Sequence, residues 1–144
     1  MTWAAAVAAI VSTLAAVTAF VSARRAALEA RSITTLNHKV AALDRQAEQL
    51  RSDYRDLIKA IGDGGGSALV RFGSIYAAGE VLRAHPQANE PLSAAIEQLT
   101  NAYAAALTRR SEPTHYVADH IEDIRNGFRE SLAEMERMRS ELLG

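Results

Sequence analysis

The feature that most restricts the fold of this chain is an uninterrupted apolar stretch near its first residue. Thr2 to Ala23 contains no charged side chain, and Arg24 and Arg25 follow it directly. About 22 helical residues at 1.5 Å each span roughly 33 Å, which matches the hydrocarbon thickness of a bilayer. The apolar residues would cover every face of that helix, so no side is reserved for water. The sequence therefore predicts a transmembrane anchor over residues 1–25.

The residues at the two ends of this stretch predict how the anchor sits in a bilayer. Trp3 suits one membrane interface, and Arg24 and Arg25 can extend to the headgroups at the other. Arg24, Arg25, Arg31 and Lys39 all follow the stretch, and no basic residue precedes it. Because basic residues favour the cytoplasmic side, we expect a single-pass protein of the cell membrane with its amino terminus outside and its carboxy-terminal helices in the cytoplasm.

Two other readings of the same stretch remain open. Val21, Ser22 and Ala23 satisfy the small-residue rule of a signal peptidase site, which would release an exported helical protein by cleavage after Ala23. A buried helix of a soluble protein is the third reading. The absence of a basic residue before the apolar core favours the anchor over the signal peptide.

Beyond Arg25 the apolar residues recur in alternating steps of three and four, which is a heptad repeat. With Ile33 at position a, leucine occupies every d position as far as Leu57. β-Branched residues at a with leucine at d favour parallel two-stranded coiled coils. The sequence predicts a coiled-coil helix over residues 26–61, with an interface formed by Ile33, Leu36, Val40, Leu43, Leu50 and Leu57.

The same apolar stripe fits a second arrangement, in which it packs against later helices of its own chain. Both arrangements use one face of the helix, so periodicity does not separate them. A membrane anchor favours pairing between chains, because it holds two copies in one plane and raises their effective concentration.

The remaining sequence predicts a small all-α bundle. Gly62 to Ser67 is rich in glycine and predicts a linker over residues 62–67. Three helices follow over about residues 68–84, 91–109 and 113–143, where Pro91 and Pro113 open the second and third. Short loops favour antiparallel neighbours. Residues 68–144 are thus expected to form a three-helix bundle, or a four-helix bundle if the stalk folds back onto them.

Composition limits the classes of function. The 16 basic and 17 acidic residues give a net charge of −1, which provides no field for a polyanion, so we expect no nucleic-acid partner. The chain contains no cysteine, which excludes disulfides and thiolate metal sites. We expect no cofactor.

One helix face carries residues suited to metal binding or acid–base chemistry. His115, Asp119 and Glu122 lie at positions i, i+4 and i+7, so an imidazole and two carboxylates would point the same way. A metal site needs further ligands from another helix, and the other helices offer few. Acidic residues near the start of a helix also stabilise it by interacting with the helix dipole, and this needs no ligand. We therefore assign no metal residues.

The spacing of Arg110 and His115 resembles the Arg-x4-His pattern of the HEPN-type ribonucleases. The resemblance implies a helical nuclease whose catalytic pair lies on one helix in a dimer cleft. It covers two residues, and Pro113 between them would place the pair across a loop. With no catalytic triad in the sequence, we expect a protein that is not an enzyme.

These patterns together predict a membrane-anchored helical protein that acts as a homo-oligomeric adaptor, a scaffold or an accessory subunit of a membrane complex. Its expected partners are the lipid bilayer, a second copy of the chain and an unidentified protein. The alternatives are a membrane-associated metal-binding or hydrolytic bundle that uses the His115, Asp119 and Glu122 face, and the exported protein described above.

Overall fold

A computed structural model describes the backbone of residues 3–109 and 114–144, and the side chains of residues 12, 13, 15–109 and 119–144. The described residues form four helices. The all-α fold class is therefore confirmed, and α2 and α3 begin and end within one residue of their predicted bounds. The helices are α1 (Trp3–Gly62), α2 (Ala68–Arg83), α3 (Glu90–Thr108) and α4 (Thr114–Leu143).

The glycine-rich segment between α1 and α2 forms a turn that is built by its own residues. Gly62 is the last residue of α1, as glycine is suited to be. Gly66 has a φ of +83°, a conformation that glycine adopts without steric cost. The Ser67 hydroxyl then accepts a hydrogen bond from the Val70 N–H at 3.3 Å and caps the start of α2.

The start of α3 also follows from local sequence. The Asn89 side chain accepts a hydrogen bond from the Leu92 N–H at 2.9 Å, which satisfies one of the unpaired donors of the first turn. Glu90 lies in that turn, where its negative charge interacts favourably with the positive end of the helix dipole. Pro91 follows at a position where its missing N–H costs nothing.

The chain divides into two compact units, Met1–Val40 and Ala41–Gly144. The first unit is the amino-terminal part of α1, and nearly all of its described side chains are exposed. Its hydroxyl groups bond to their own helix. Thr18 donates to the Ala15 carbonyl at 3.0 Å and Ser22 donates to the Ala19 carbonyl at 2.9 Å.

The second unit is an antiparallel helical bundle, and residues 41–62 of α1 are part of it. The rings of Tyr54 in α1 and Phe128 in α4 stack with centroids 3.9 Å apart. Ten residues earlier in α1, Asp44 accepts a hydrogen bond from Arg139, eleven residues later in α4, at 3.1 Å. The contacting residue numbers fall along α1 while they rise along α4, so the two helices run in opposite directions.

The other neighbouring helices are antiparallel as well. Phe72 of α2 and Tyr103 of α3 have ring centroids 5.7 Å apart. At the other end of α2, a Cβ added to Gly79 would lie 2.9 Å from the Ile96 side chain. Between α3 and α4 the approach is closer still, because a Cβ on Gly127 would lie 2.7 Å from Leu92 Cα.

One apolar core joins all four helical segments of the second unit. Every segment supplies at least one of its fully buried side chains, so the bundle has four members. The largest fully buried apolar residues are Leu50, Leu57, Ile75, Leu82, Leu92, Ile96, Leu99 and Ile124.

Candidate functional site

The carboxy-terminal part of the heptad stripe faces the core of its own chain. Leu50 and Leu57 have no exposed surface, and Leu43 packs against the same core while partly buried. These three leucines therefore take the intramolecular arrangement within residues 41–144. A coiled coil between chains at Leu50 and Leu57 would require this bundle to open.

The amino-terminal part of the stripe lies in the first unit. Ile33 is 57% exposed, whereas Leu36 and Val40 are partly buried. The predicted interface is thus divided between the two units. Pairing between chains at these positions stays a prediction.

The predicted anchor lies largely outside the residues with described side chains. The structure does not describe the side chains of residues 1–11, which include Trp3, or of residue 14. The interface role of Trp3 therefore stays a prediction. The described part of the stretch is exposed, including Phe20 at 67%. Arg24 and Arg25 are exposed too.

None of the helices formed by the described residues combines the length and the apolarity that a bilayer span requires.

The proposed metal face is only partly within the described side chains. His115 lies outside them, as do Arg110 and Pro113 of the ribonuclease-like pattern. Asp119 and Glu122 are exposed, and Glu122 forms an ion pair with Arg125 at 3.1 Å. The described residues contain no group of three or more potential metal ligands.

The outer face of α4 consists largely of ion pairs within the helix. Arg137 lies beside Glu134 and Glu141, and a hydrogen bond to Glu134, aided by both carboxylate charges, raises the pKa of Arg137 above its ordinary value. Such exposed pairs contribute little to stability because water screens them. This face is typical of a solvated helix surface.

A groove between α1 and α4 at the bundle surface has a largely apolar lining. It has a volume of about 320 Å³, and Ile58, Ile61 and Ile121 line it. Arg55 and Arg125 stand at its rim, where each is paired with a glutamate, Glu48 at 3.0 Å and Glu122 at 3.1 Å. Among the described residues that line the groove, both arginines are thus ion-paired with a carboxylate of their own helix.

A cluster of polar groups ties the α2–α3 loop to the rest of the bundle, and the sequence did not reveal it. The buried Ser131 hydroxyl of α4 accepts a hydrogen bond from the Asn89 N–H at 3.1 Å. Gln87 donates to Gln46 of α1 at 3.2 Å, and its N–H donates to Nδ1 of the buried His85 at 3.1 Å. Asn89 and Ser131 lie about 40 positions apart in sequence, as do Gln87 and Gln46. Sequence spacing therefore gives no signal for these two contacts. The cluster holds the α2–α3 loop against α1 and α4.

The sequence also missed an exposed apolar face on α2. The side chains that point away from the core include four large apolar ones, and the one charged residue among them, Glu80, is ion-paired with Arg83 at 2.8 Å. Periodicity identified the inner stripe of α2 but could not tell how much of the remaining apolar surface stays uncovered. The four exposed residues are Leu69, Val70, Tyr76 and Val81.

No family model, curated protein or solved structure matches the chain.

Proposed function

We propose that the chain is a single-pass membrane protein whose residues 41–144 form a helical bundle that acts as a homo-oligomeric adaptor or as an accessory subunit of a membrane complex. The observation that carries this proposal is the exposed, uncharged surface of α1 before Arg24. Val17, Phe20 and Val21 lie there with 54%, 67% and 45% of their surfaces exposed. Contact between this apolar surface and lipid carries no hydrophobic free-energy cost, whereas contact with water does.

The polar groups in this part of α1 also suit a bilayer. Thr18 and Ser22 donate their hydroxyl hydrogens to carbonyl groups of the preceding turn. A hydroxyl with no partner in hydrocarbon would cost several kcal/mol, on the order of 4. Because the helix satisfies both donors itself, these residues are compatible with a lipid environment.

The charge distribution after the anchor supports the proposed orientation. Arg24, Arg25 and Arg31 are exposed and form no ion pair among the described residues. Three cations beside a bilayer favour the cytoplasmic leaflet, where each contributes about 1 kcal/mol of attraction to anionic lipid. The bundle would then lie in the cytoplasm.

Membrane fractionation followed by alkaline extraction tests the anchor. The unmodified chain should stay in the pellet, and Ser12→Arg combined with Val17→Arg should release it, because each arginine in a membrane helix costs about 2.5–3.5 kcal/mol at the centre. Leu28→Arg is the matched control, since Leu28 is exposed on the same helix but follows Arg25. A soluble unmodified chain would refute the proposal.

Intact mass and chemical labelling complete this test. A mature chain that begins at Arg24 would show that the stretch is a signal peptide. For orientation, Ala133→Cys gives a single thiol on an exposed site of α4 in a chain without cysteine. A membrane-impermeant maleimide should label it only after the membrane is opened, and labelling of intact cells would contradict the cytoplasmic placement.

A further inference from the structure

Helix α2 presents to solvent a face that resembles one half of a helix–helix contact. Leu69 is 71% exposed, Val70 61%, Val81 56% and Tyr76 49%. The other exposed residues of this face are small, namely Gly73, Ser74, Ala77 and the cap residue Ala84. A continuous apolar surface of this kind on a folded domain is typical of an interaction site, whereas single exposed apolar residues are not.

Gly73 gives independent evidence that another backbone approaches this face. A glycine inside a helix is less favourable than alanine, so a helical glycine calls for a packing reason. Gly79 and Gly127 have one, because Ile96 and Leu92 occupy the space that their side chains would take. A Cβ at Gly73 would meet nothing within 4 Å. None of the described residues of its own chain therefore explains why position 73 is a glycine.

The charges around this face favour a second copy of the same chain as the occupant. The eight exposed residues are uncharged, but Glu80 lies three positions after Ala77 and four before Ala84, on the same side of α2, and 43% of its side chain is exposed. Arg83 neutralises Glu80 at 2.8 Å and also lies 3.6 Å from Glu97. The face can therefore meet itself about a two-fold axis without placing unpaired like charges together.

We propose that the outer face of α2, from Leu69 to Ala84, is the contact between two copies of this chain. The helix backbones approach most closely at Gly73 and Ala77, and the four large apolar residues pack around that point. This inference deepens the proposed homo-oligomeric function and rests on it in one respect, since anchoring in one bilayer raises the effective concentration of the two copies.

Crosslinking of the full chain in membranes tests the contact. Ala77→Cys introduces a single thiol at the proposed centre, and a short bis-maleimide should convert most of the protein into a covalent dimer. Ala133→Cys is the matched control, because Ala133 is also an exposed alanine in a helix but lies on α4. Equal crosslinking of the two variants, or none at Ala77→Cys, would overturn the proposal.

Two further variants distinguish an effect on dimerisation from an effect on folding. Gly73→Leu should raise the thermal stability of the helix, since leucine favours helix over glycine and meets no neighbour in the chain, yet weaken dimerisation by about tenfold or more. Ala77→Glu should give monomers with unchanged helical content, while Ala133→Glu should leave the dimer intact. Sedimentation in mild detergent measures the association state of each variant.

The outcomes also distinguish this inference from the proposed function. A chain that pellets with membranes but remains monomeric overturns the α2 contact and leaves the anchor standing. A chain that forms dimers through Ala77 but is extracted from membranes overturns the anchor alone. If Gly73→Leu and Ala77→Glu both remain dimeric, the copies associate through another surface and the proposal is wrong.

Discussion

Individual glycines in this protein have opposite roles according to what lies opposite their missing side chain. Gly127 faces the backbone of Leu92, so it permits α3 and α4 to approach closely. Gly73 has no described neighbour within 4 Å of the position that a Cβ would take, so within a single copy of the chain it weakens α2. The same residue type therefore predicts opposite effects of the same substitution at the two positions.

Replacing Gly127 with alanine should destabilise the bundle by about 1–3 kcal/mol, because the added methyl group collides with backbone that cannot rotate away. Gly73→Ala should instead stabilise it by about 0.5–1 kcal/mol through helix propensity. The measurement is the denaturant midpoint in the monomeric Ala77→Glu background, monitored by helical circular dichroism, so that association does not contribute to the difference. Equal effects of the two variants would contradict the close approach of α3 and α4.

The hydroxyl of Ser131 acts between elements that are distant in sequence. It accepts the Asn89 N–H in a fully buried position, so Ser131→Ala would leave that donor without a partner. We expect a loss of about 1–3 kcal/mol in the free energy of unfolding. Ser140→Ala on the exposed side of α4 should change it by less than about 0.5 kcal/mol. A loss of similar size in both variants would show that the hydrogen bond contributes nothing specific.

Among the elements, α1 has two parts that differ in what covers them. Leu50 and Leu57 are completely buried within the bundle, whereas Ile33 in the first unit is largely exposed. A single heptad repeat runs through both parts, and it describes only which side of the helix is apolar. The stripe thus identifies an interface without identifying its partner.

Truncation of these residues measures the difference. Leu50→Ala and Leu57→Ala should each cost about 2–5 kcal/mol of stability, since each leaves a cavity in the core. Ile33→Ala should cost less than about 0.5 kcal/mol of bundle stability. Denaturant titration at several protein concentrations is the suitable measurement. If the leucine variants lost association but kept their unfolding midpoint, the stripe would pair between chains and the bundle would be wrong at these positions.

For the molecule as a whole, two exposed apolar surfaces suit two different contacts. The surface of α1 that includes Phe20 suits lipid, and the outer face of α2 suits a second copy of the chain. They lie in different compact units. Variants of the α2 contact are expected to leave membrane attachment unchanged, whereas loss of the anchor should weaken the contact because it lowers the effective concentration of the two copies.

The sequence alone determined the helical class and, to within one residue, where α2 and α3 begin and end. These properties depend on neighbours within a few positions, such as Asn89 and Pro91 at the start of α3. Only the tertiary structure decided that Leu50 and Leu57 lie inside their own bundle, that Gly127 touches Leu92 and that the outer face of α2 remains bare. Helix periodicity records which residues avoid water, but many surfaces can shield them equally well. Which surface does so is settled by how the whole chain packs, and that information is spread over residues far apart in sequence.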